Sequence, residues 1–393
     1  MQLFKTDYNR ELLGKWKNEV NEARIDGLLQ NFVARFDAVV TNVTQRAHFQ
    51  TYLKGLMSDL DRKSIEPMAL ALGGEEAVRP MQQFITRSTM KDCEVSRVYR
   101  EILSETINSE NGMFSVDDTG HVKKGKNSVG VKRQYCGRLG KVENCQVVVN
   151  AAYAGSNGYG LVDCELYIPE EWFNESHKDL RIKCNIPEDK MFRTKNEIAL
   201  ELIEQTFEEN LLNIKWIGAD SSFGGSHKFI DALPKNALYF VGVPKDERVF
   251  LFGSDIPVCI ETIAHDDEFE WEKVGFDTSK GVRNSDIKIV RAFNCRDSLP
   301  KSEIWVYIRR YADGKVRYAI AGAPANTTKD ELHEASRLRW PIEQCFQECK
   351  SNLGMADFEG RSYNGFMRHL LLVMITHLFA TSLRLEFKKT TSR

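Results

Sequence analysis

The sequence predicts an α/β protein with an all-α N-terminal domain, a second domain of order β-β-β-α-β-α-β, and a β-rich insertion ahead of the last helices. Three observations carry this. Apolar residues recur at three- and four-residue spacing up to residue 107. Short runs of β-branched and aromatic residues replace that period after Asn111-Gly112. Two capping boxes, Thr194-Lys195-Asn196-Glu197 and Thr328-Lys329-Asp330-Glu331, then mark helix starts among and beyond the strands.

From about residue 10 to 107 the apolar stripe is helical, as in Leu28, Leu29, Phe32, Val33 and Phe36, with Gly73-Gly74 a natural stop and a further helix over Val78 to Ile85. Bundled short helices of this kind suit DNA or partner binding, so residues 1–107 are read as an α-helical DNA-binding domain and 108–393 as the second domain. Its strands are expected at MFSVDD, at QVVVNAAYA from Gln146, at LVDCELYI from Leu161, at Lys215 to Asp220 and at Ala237 to Val243. A helix follows Thr194, with apolar residues Ile198, Leu202, Ile203, Phe207 and Leu211, and a short one lies near Ser226 to Leu233. The insertion is placed at about 244–325: irregular and charged to about residue 300, then a hairpin from Glu303 to Ala321 turning at Asp313-Gly314. The helix from Thr328 reaches Trp340, where Pro341 either kinks it or begins a new one. The last helix is expected over about Tyr363 to Phe387.

Composition sets the outer limits. A chain of 393 residues with 42% apolar and 28% charged residues is globular, neither disordered nor a disulfide scaffold. The nine cysteines form no C-x-x-C pair, which argues against structural zinc and fits a reducing, cytoplasmic setting. Cys345 and Cys349, four apart, are read as small core residues because no partner pair is in sight. The N-terminal residues lack a secretory pattern, and Leu370 to Leu383 is too short to span a bilayer, which takes about 20 apolar residues. No membrane partner is expected. A net charge of −2 leaves the nucleic-acid question to local clustering of Lys and Arg.

Two acids stand at ends of expected strands: Asp117 closes the first and Asp220 the fourth. Functional groups gather beyond strand ends in open sheets, so these carboxylates are placed to share a cation. Asp118, adjacent to Asp117, points to the opposite face. The helix after Pro341 offers a third acid, with Glu343, Gln347 and Lys350 on one face and Ile342, Phe346, Cys349 and Leu353 on the other. Three carboxylates can hold two divalent ions about 3.5 to 4 Å apart, an arrangement suited to in-line displacement at phosphorus. Hard oxygen ligands select Mg²⁺ or Mn²⁺ over zinc. Between the first two expected strands lies a basic, glycine-punctuated loop carrying Lys123, Lys124, Lys126, Lys132, Arg133, Arg138 and Lys141 against one acid, Glu143. Such a loop beside a carboxylate site suits phosphate backbone, and Tyr135 is placed to stack on a base. Each feature alone has a plainer reading: Asp as a turn residue, Glu343 as a first-turn glutamate facing the helix dipole, the basic loop as a solvated hairpin.

With these residues in hand, the chain resembles DDE transposases of the insertion-sequence 4 superfamily, most closely the insertion-sequence 701 family. The match is carried by RKSIEPMA at Arg62, DDTGHVKKGKNSVGVKRQYCGRLGKVENCQV at Asp117, ELYIPEEW at Glu165, ADSSFG at Ala219 and RWPIEQCFQECKSNLGMADFE at Arg339. The resemblance implies an RNase H-like catalytic domain. It also implies that Asp117, and not Asp118, is a metal ligand together with Asp220 and Glu343. The superfamily's Y-x2-R-x3-E-x6-K signature falls on Arg339, Glu343 and Lys350, with Ser336 where the tyrosine stands.

The resulting expectation is a cut-and-paste transposase. A homodimer binds the terminal inverted repeats of its element in double-stranded DNA, cuts the ends with two Mg²⁺ or Mn²⁺ ions, and joins 3′-hydroxyls to target DNA. Arg339 and Lys350 are expected near the scissile phosphate. Trp340 is either a base-stacking residue or core. Two other classes stay open: a DNA-binding protein without nuclease activity, and a phosphatase with an aspartate nucleophile.

Overall fold

The computed structural model describes residues 22–278 and 281–391, so the helical pattern expected for residues 10–21 lies outside them. Among the described residues five helices come first: α1 Glu22–Ala34, α2 Val43–Met57, α3 Ile65–Gly73, α4 Glu75–Arg87 and α5 Asp92–Ile107. Asn42 starts α2 by accepting from the Gln45 amide at 3.1 Å. Gly74 ends α3 with φ of +73°, a conformation glycine adopts without strain.

Twelve strands follow among the described residues: β1 Gly112–Val122, β2 Lys132–Cys136, β3 Lys141–Gly155, β4 Gly158–Tyr167, β5 Ile214–Ala219, β6 Leu238–Gly242, β7 Arg248–Leu251, β8 Val258–Cys259, β9 Glu272–Thr278, β10 Gly281–Arg296, β11 Leu299–Tyr311 and β12 Val316–Gly322. Helices α6 Lys178–Lys183, α7 Lys195–Glu209, α8 Ser221–Gly224, α9 His227–Asp231 and α10 Ile260–His265 lie among them. After them come α11 Lys329–Leu338, α12 Trp340–Asn352 and α13 Tyr363–Thr391. Both expected capping boxes form, Thr194 with Glu197 and Thr328 with Glu331. Pro341 opens a new helix, since α12 starts at Trp340 with the proline in its first turn.

All twelve strands join one mixed sheet, ordered β2-β3-β1-β5-β6-β12-β11-β10-β7-β8, with β4 on β3 and β9 on β10. β1, β5 and β6 run parallel, and β3 runs antiparallel to β1. Three sequence expectations need correction. Asp117 does not close the first strand: β1 runs on to Val122, because Asp118 to Val122 keep pairing with β3. The basic stretch after β1 is not all loop, because Lys132–Cys136 pairs with β3 from Lys132↔Cys145 to Cys136↔Lys141. Nor is the stretch before residue 300 irregular: β9 and β10 form a long hairpin, and β10 continues into β11. The hairpin expected at Asp313-Gly314 is β11–β12, with Gly314 at φ +81°. Its β12 pairs with β6, so the inserted strands extend the same sheet.

Alternation along the strands divides the core. Met113, Trp216, Phe240, Ala319 and Ala321 share one cluster with Leu332 and Ala335 of α11. Phe114, Val116, Ile217, Ala219, Val241 and Ile320 face the main core, with the N-terminal helices and α13. The centre of the sheet is thus buried on both faces, which is why its strands read as nearly continuous apolar runs. Helix α13 runs longer than the apolar stretch expected from sequence, and its Tyr363–Phe387 segment has the length and hydropathy of a bilayer span. Most of that segment is nonetheless buried inside the protein.

His369 of α13 sits fully buried in this core. A carbonyl can only accept, so Nε2 carries the proton donated to Gly354 at 3.1 Å, and Nδ1 accepts from the Tyr52 hydroxyl at 2.8 Å. Burial, with Lys123 nearby, lowers its pKa from 6.5 to about 4. Below 6.5 the unfolded chain takes up the proton first, so this contribution is whole above 6.5 and lost as pH falls to about 4. Stability measured by urea unfolding should therefore fall across that window in wild type more steeply than in His369→Gln. Equal slopes would refute the assignment.

Candidate active site

Two parallel strands build the centre. The parallel register Val116↔Ala219 sets Asp117, in the middle of β1, beside Asp220, the residue that follows the carboxyl end of β5. Asp117 has the parity of Met113, on the α11 face. Asp220 follows the parity of Trp216 and Gly218, and a Cβ on Gly218 would collide with Ser115 and Met113 of that same face. Asp118 points the other way, 2.6 Å from Lys195 Nζ at the start of α7.

Each aspartate is locally constrained. Asp117 Oδ1 accepts from the Asp118 amide at 2.8 Å. Asp220 caps α8, accepting from the Ser222 amide at 2.9 Å and the Ser222 hydroxyl at 2.5 Å. The turn packs tightly on β6, where a Cβ on Gly224 would overlap the Gly242 carbonyl oxygen. Gly224→Ala should therefore cost about 1–3 kcal/mol as an overpacking change and displace Asp220, lowering activity beyond what the lost stability explains. Wild-type activity in a variant with lowered stability would contradict this placement.

Helix α11 covers this face, and the chain leaving it delivers Arg339 and then Glu343. Arg339 Nη2 lies 3.7 Å from Glu343 Oε1. Burial and the Asp220 carboxylate push the Asp117 carboxyl up to about 7, while Arg339 pulls the other way. Arg339 thus links the aspartate pair to the glutamate. The Glu343 side chain remains 61% exposed. Among the described residues the three carboxylates do not converge within 4.8 Å of one another. Two like charges held side by side at a half-buried site, served by oxygen donors, are what a hard divalent cation relieves. The residues present fit such an ion.

The other expected residues divide. Trp340 is 56% exposed at the head of α12. Lys350 lies over the Phe346 ring at 5.7 Å, on the same helix. Lys124, Lys126, Arg133, Tyr135 and Lys141 are exposed, and Lys141 pairs with Glu143 at 3.4 Å. Lys132 is bound to Glu171 at 2.7 Å. Lys123 turns inward, donating to the Phe358 carbonyl, and burial lowers its pKa to about 8. The Arg138 side chain lies outside the described residues. Ser336, at the signature's tyrosine position, donates to the His333 carbonyl at 2.7 Å and has the Tyr307 hydroxyl at 3.2 Å.

Sequence reasoning missed Asn150. It lies directly opposite Asp117 in the β1–β3 register, is fully buried, and has its Oδ1 without a hydrogen-bond partner. The signal was available as the one polar residue inside the run VVVNAA.

Comparison with known proteins decides the family. The family described as "DDE superfamily endonuclease" matches residues 35–257, more than half of the chain. The chain belongs to the DDE endonuclease superfamily. A second family, described as "Transposase DDE domain", matches residues 192–379 of this DDE enzyme. The protein named "Probable transposase for insertion sequence element IS701", from Microchaete diplosiphon, is 27% identical over 330 residues, 79% of this chain and 75% of that one. The DDE enzyme is accordingly a transposase by family. The NurA nuclease from Sulfolobus solfataricus aligns over 73% of this chain and 97% of its own, with 12% identity and a TM-score of 0.26, too low to carry an argument.

Proposed function

We propose that this transposase cuts at the terminal inverted repeats of its own element and joins the freed 3′-hydroxyls to target DNA. The observation that carries the reading is the placement of Asp117 and Asp220 side by side where the parallel pairing of β1 and β5 ends, on the face where Arg339 and Glu343 arrive. The mixed sheet, with β3 and β1 antiparallel and β1, β5 and β6 parallel, supports an RNase H-like catalytic domain. Residues 1–107 are assigned to end recognition as an N-terminal helical domain.

In this reading Asp117, Asp220 and Glu343 hold two divalent ions, Mg²⁺ or Mn²⁺. Bound there, the ions supply activation of the attacking water or 3′-hydroxyl and stabilisation of the leaving oxygen. The Asp118 and Ser222 amides fix the two aspartates, so their charge needs little reorganisation on binding. Arg339 exchanges its contact with Glu343 for the scissile phosphate, which frees the carboxylate to turn towards the aspartates. Lys350, one face along α12, adds positive charge for the DNA strand. Lys124, Lys126, Arg133 and Lys141 grip phosphates on one side of the site, and exposed Trp340 stacks on an unpaired base. A homodimer in the cytoplasm, bringing two ends together, completes the proposal.

A marker flanked by the element's ends tests it in cells expressing the protein. The expected result is excision together with reinsertion elsewhere. Excision without reinsertion would remove strand transfer from the reading, and no excision would remove cutting as well.

A further inference from the structure

Helices α12 and α13 enclose a second cluster of ligand-type side chains. Cys345 and Cys349 lie one turn apart on α12, and His377 lies on α13, with one ligand atom of each within 4.8 Å of the others. Their exposures are 0%, 0% and 2%. The sequence gives the two cysteines no partner; the fold supplies one by bringing α13 across α12.

Glu348 holds one nitrogen of His377. Its Nε2 lies 2.9 Å from Glu348 Oε2. The other Glu348 oxygen accepts from the Tyr159 hydroxyl at 2.8 Å, from Arg384 at 3.1 Å and from Gln344 at 3.2 Å. A carboxylate can only accept, so Nε2 carries a proton; Cys345 Sγ lies 3.9 Å from Nδ1 and 3.8 Å from Nε2, and Nδ1 is the nitrogen left for a metal once it gives up any proton of its own. A carboxylate fixing the far nitrogen of a histidine is the arrangement that aims imidazole at a metal.

We propose that Cys345, Cys349 and His377 bind a soft metal ion of the zinc class, separate from the ions of the carboxylate site. Thiolate and imidazole select zinc, as carboxylates select magnesium or manganese. With metal–sulfur bonds of about 2.3 Å, tetrahedral ligands stand about 3.5 to 3.8 Å apart, so the present spacing needs only a small closure. The charges balance: on ligation each thiol loses its proton to solvent, and two thiolates neutralise the dication. Glu348 stays paired with Arg384, so the loaded core gains no net charge. Three protein ligands leave one tetrahedral position, and the ion fastens α12, with Glu343 on it, to α13.

The test is a Co²⁺ titration of the full chain under reducing conditions. Thiolate ligation gives a sulfur-to-cobalt charge-transfer band, which ions at the carboxylates do not produce. One equivalent per chain is expected, displaced by Zn²⁺, with thermal stability rising on Zn²⁺ addition and the band lost in Cys345→Ser/Cys349→Ser. Absence of the band in wild type overturns the proposal without recourse to a variant. A band that survives the double substitution also overturns it, since other cysteines would then be the ligands.

Discussion

Asp117→Asn is expected to lower DNA cleavage about a thousandfold, equivalent to about 4 kcal/mol of transition-state stabilisation, while Asp118→Asn stays within about tenfold of wild type. The two residues are chain neighbours of the same type, so the contrast isolates geometry. Asp117 shares its face with Asp220 and feels both that carboxylate and Arg339. Asp118 faces the other way, onto Lys195. The stability of Asp117→Asn should equal or exceed that of wild type, because the substitution removes a half-buried carboxylate that Asp220 repels. Thermal melts beside the cleavage assay therefore separate lost chemistry from lost fold. Equal loss at both positions would show that the face argument is wrong.

Arg368→Ala should be the costliest single substitution for the fold, destabilising by about 3–5 kcal/mol. From α13 the Arg368 guanidinium donates to the carbonyls of Phe84 and Ile85 at 2.9 and 3.0 Å and of Met90 at 3.2 Å, and to Asp92 at 2.8 Å. One side chain thus closes the C-terminal end of α4 and fixes the start of α5. Its side chain is only 5% exposed, so truncation strands buried carbonyls without a donor and leaves the partly exposed Asp92 carboxylate without its partner. Arg368→Lys keeps the charge without the fork and should fall between. Urea unfolding measures this; a loss under about 1 kcal/mol would mean that the helices hold together without the arginine.

These two sites also show what a sequence displays and what it hides. β1, β3, β4, β5 and β6 are legible because strands buried on both faces must be apolar and branched. The two capping boxes are legible because their hydrogen bonds span only three residues. β2 reads KRQYC and carries no apolar alternation, so its pairing with β3 is invisible locally. β9 and β10 alternate charged with apolar residues, and their density of charge resembles a solvated loop. That β12 should extend the sheet from β6 depends on pairing across many residues. The site follows the same rule. Asp220 announces itself as an acid at a strand end and Glu343 by its helix face, while Asp117 reads as a strand end only because the charged pair Asp117-Asp118 interrupts an apolar run that in fact pairs on to Val122. The placements of Asn150, Arg368 and His377 depend on which distant element folds against them. Lys123 shows the converse, since a lysine within a basic run can still be drawn inward by a single carbonyl.

The central claim is that Asp117, Asp220 and Glu343 form one metal-dependent site that cuts the element's ends. Its most direct test is incubation of the purified protein with a duplex carrying an element end, in Mg²⁺ and separately in EDTA, mapping the new termini. The account predicts 3′-hydroxyl termini at the element boundary in Mg²⁺ only, and none from a variant with all three acids changed to alanine that still binds the duplex. Cleavage at that boundary by the triple variant, or its persistence in EDTA, would contradict it.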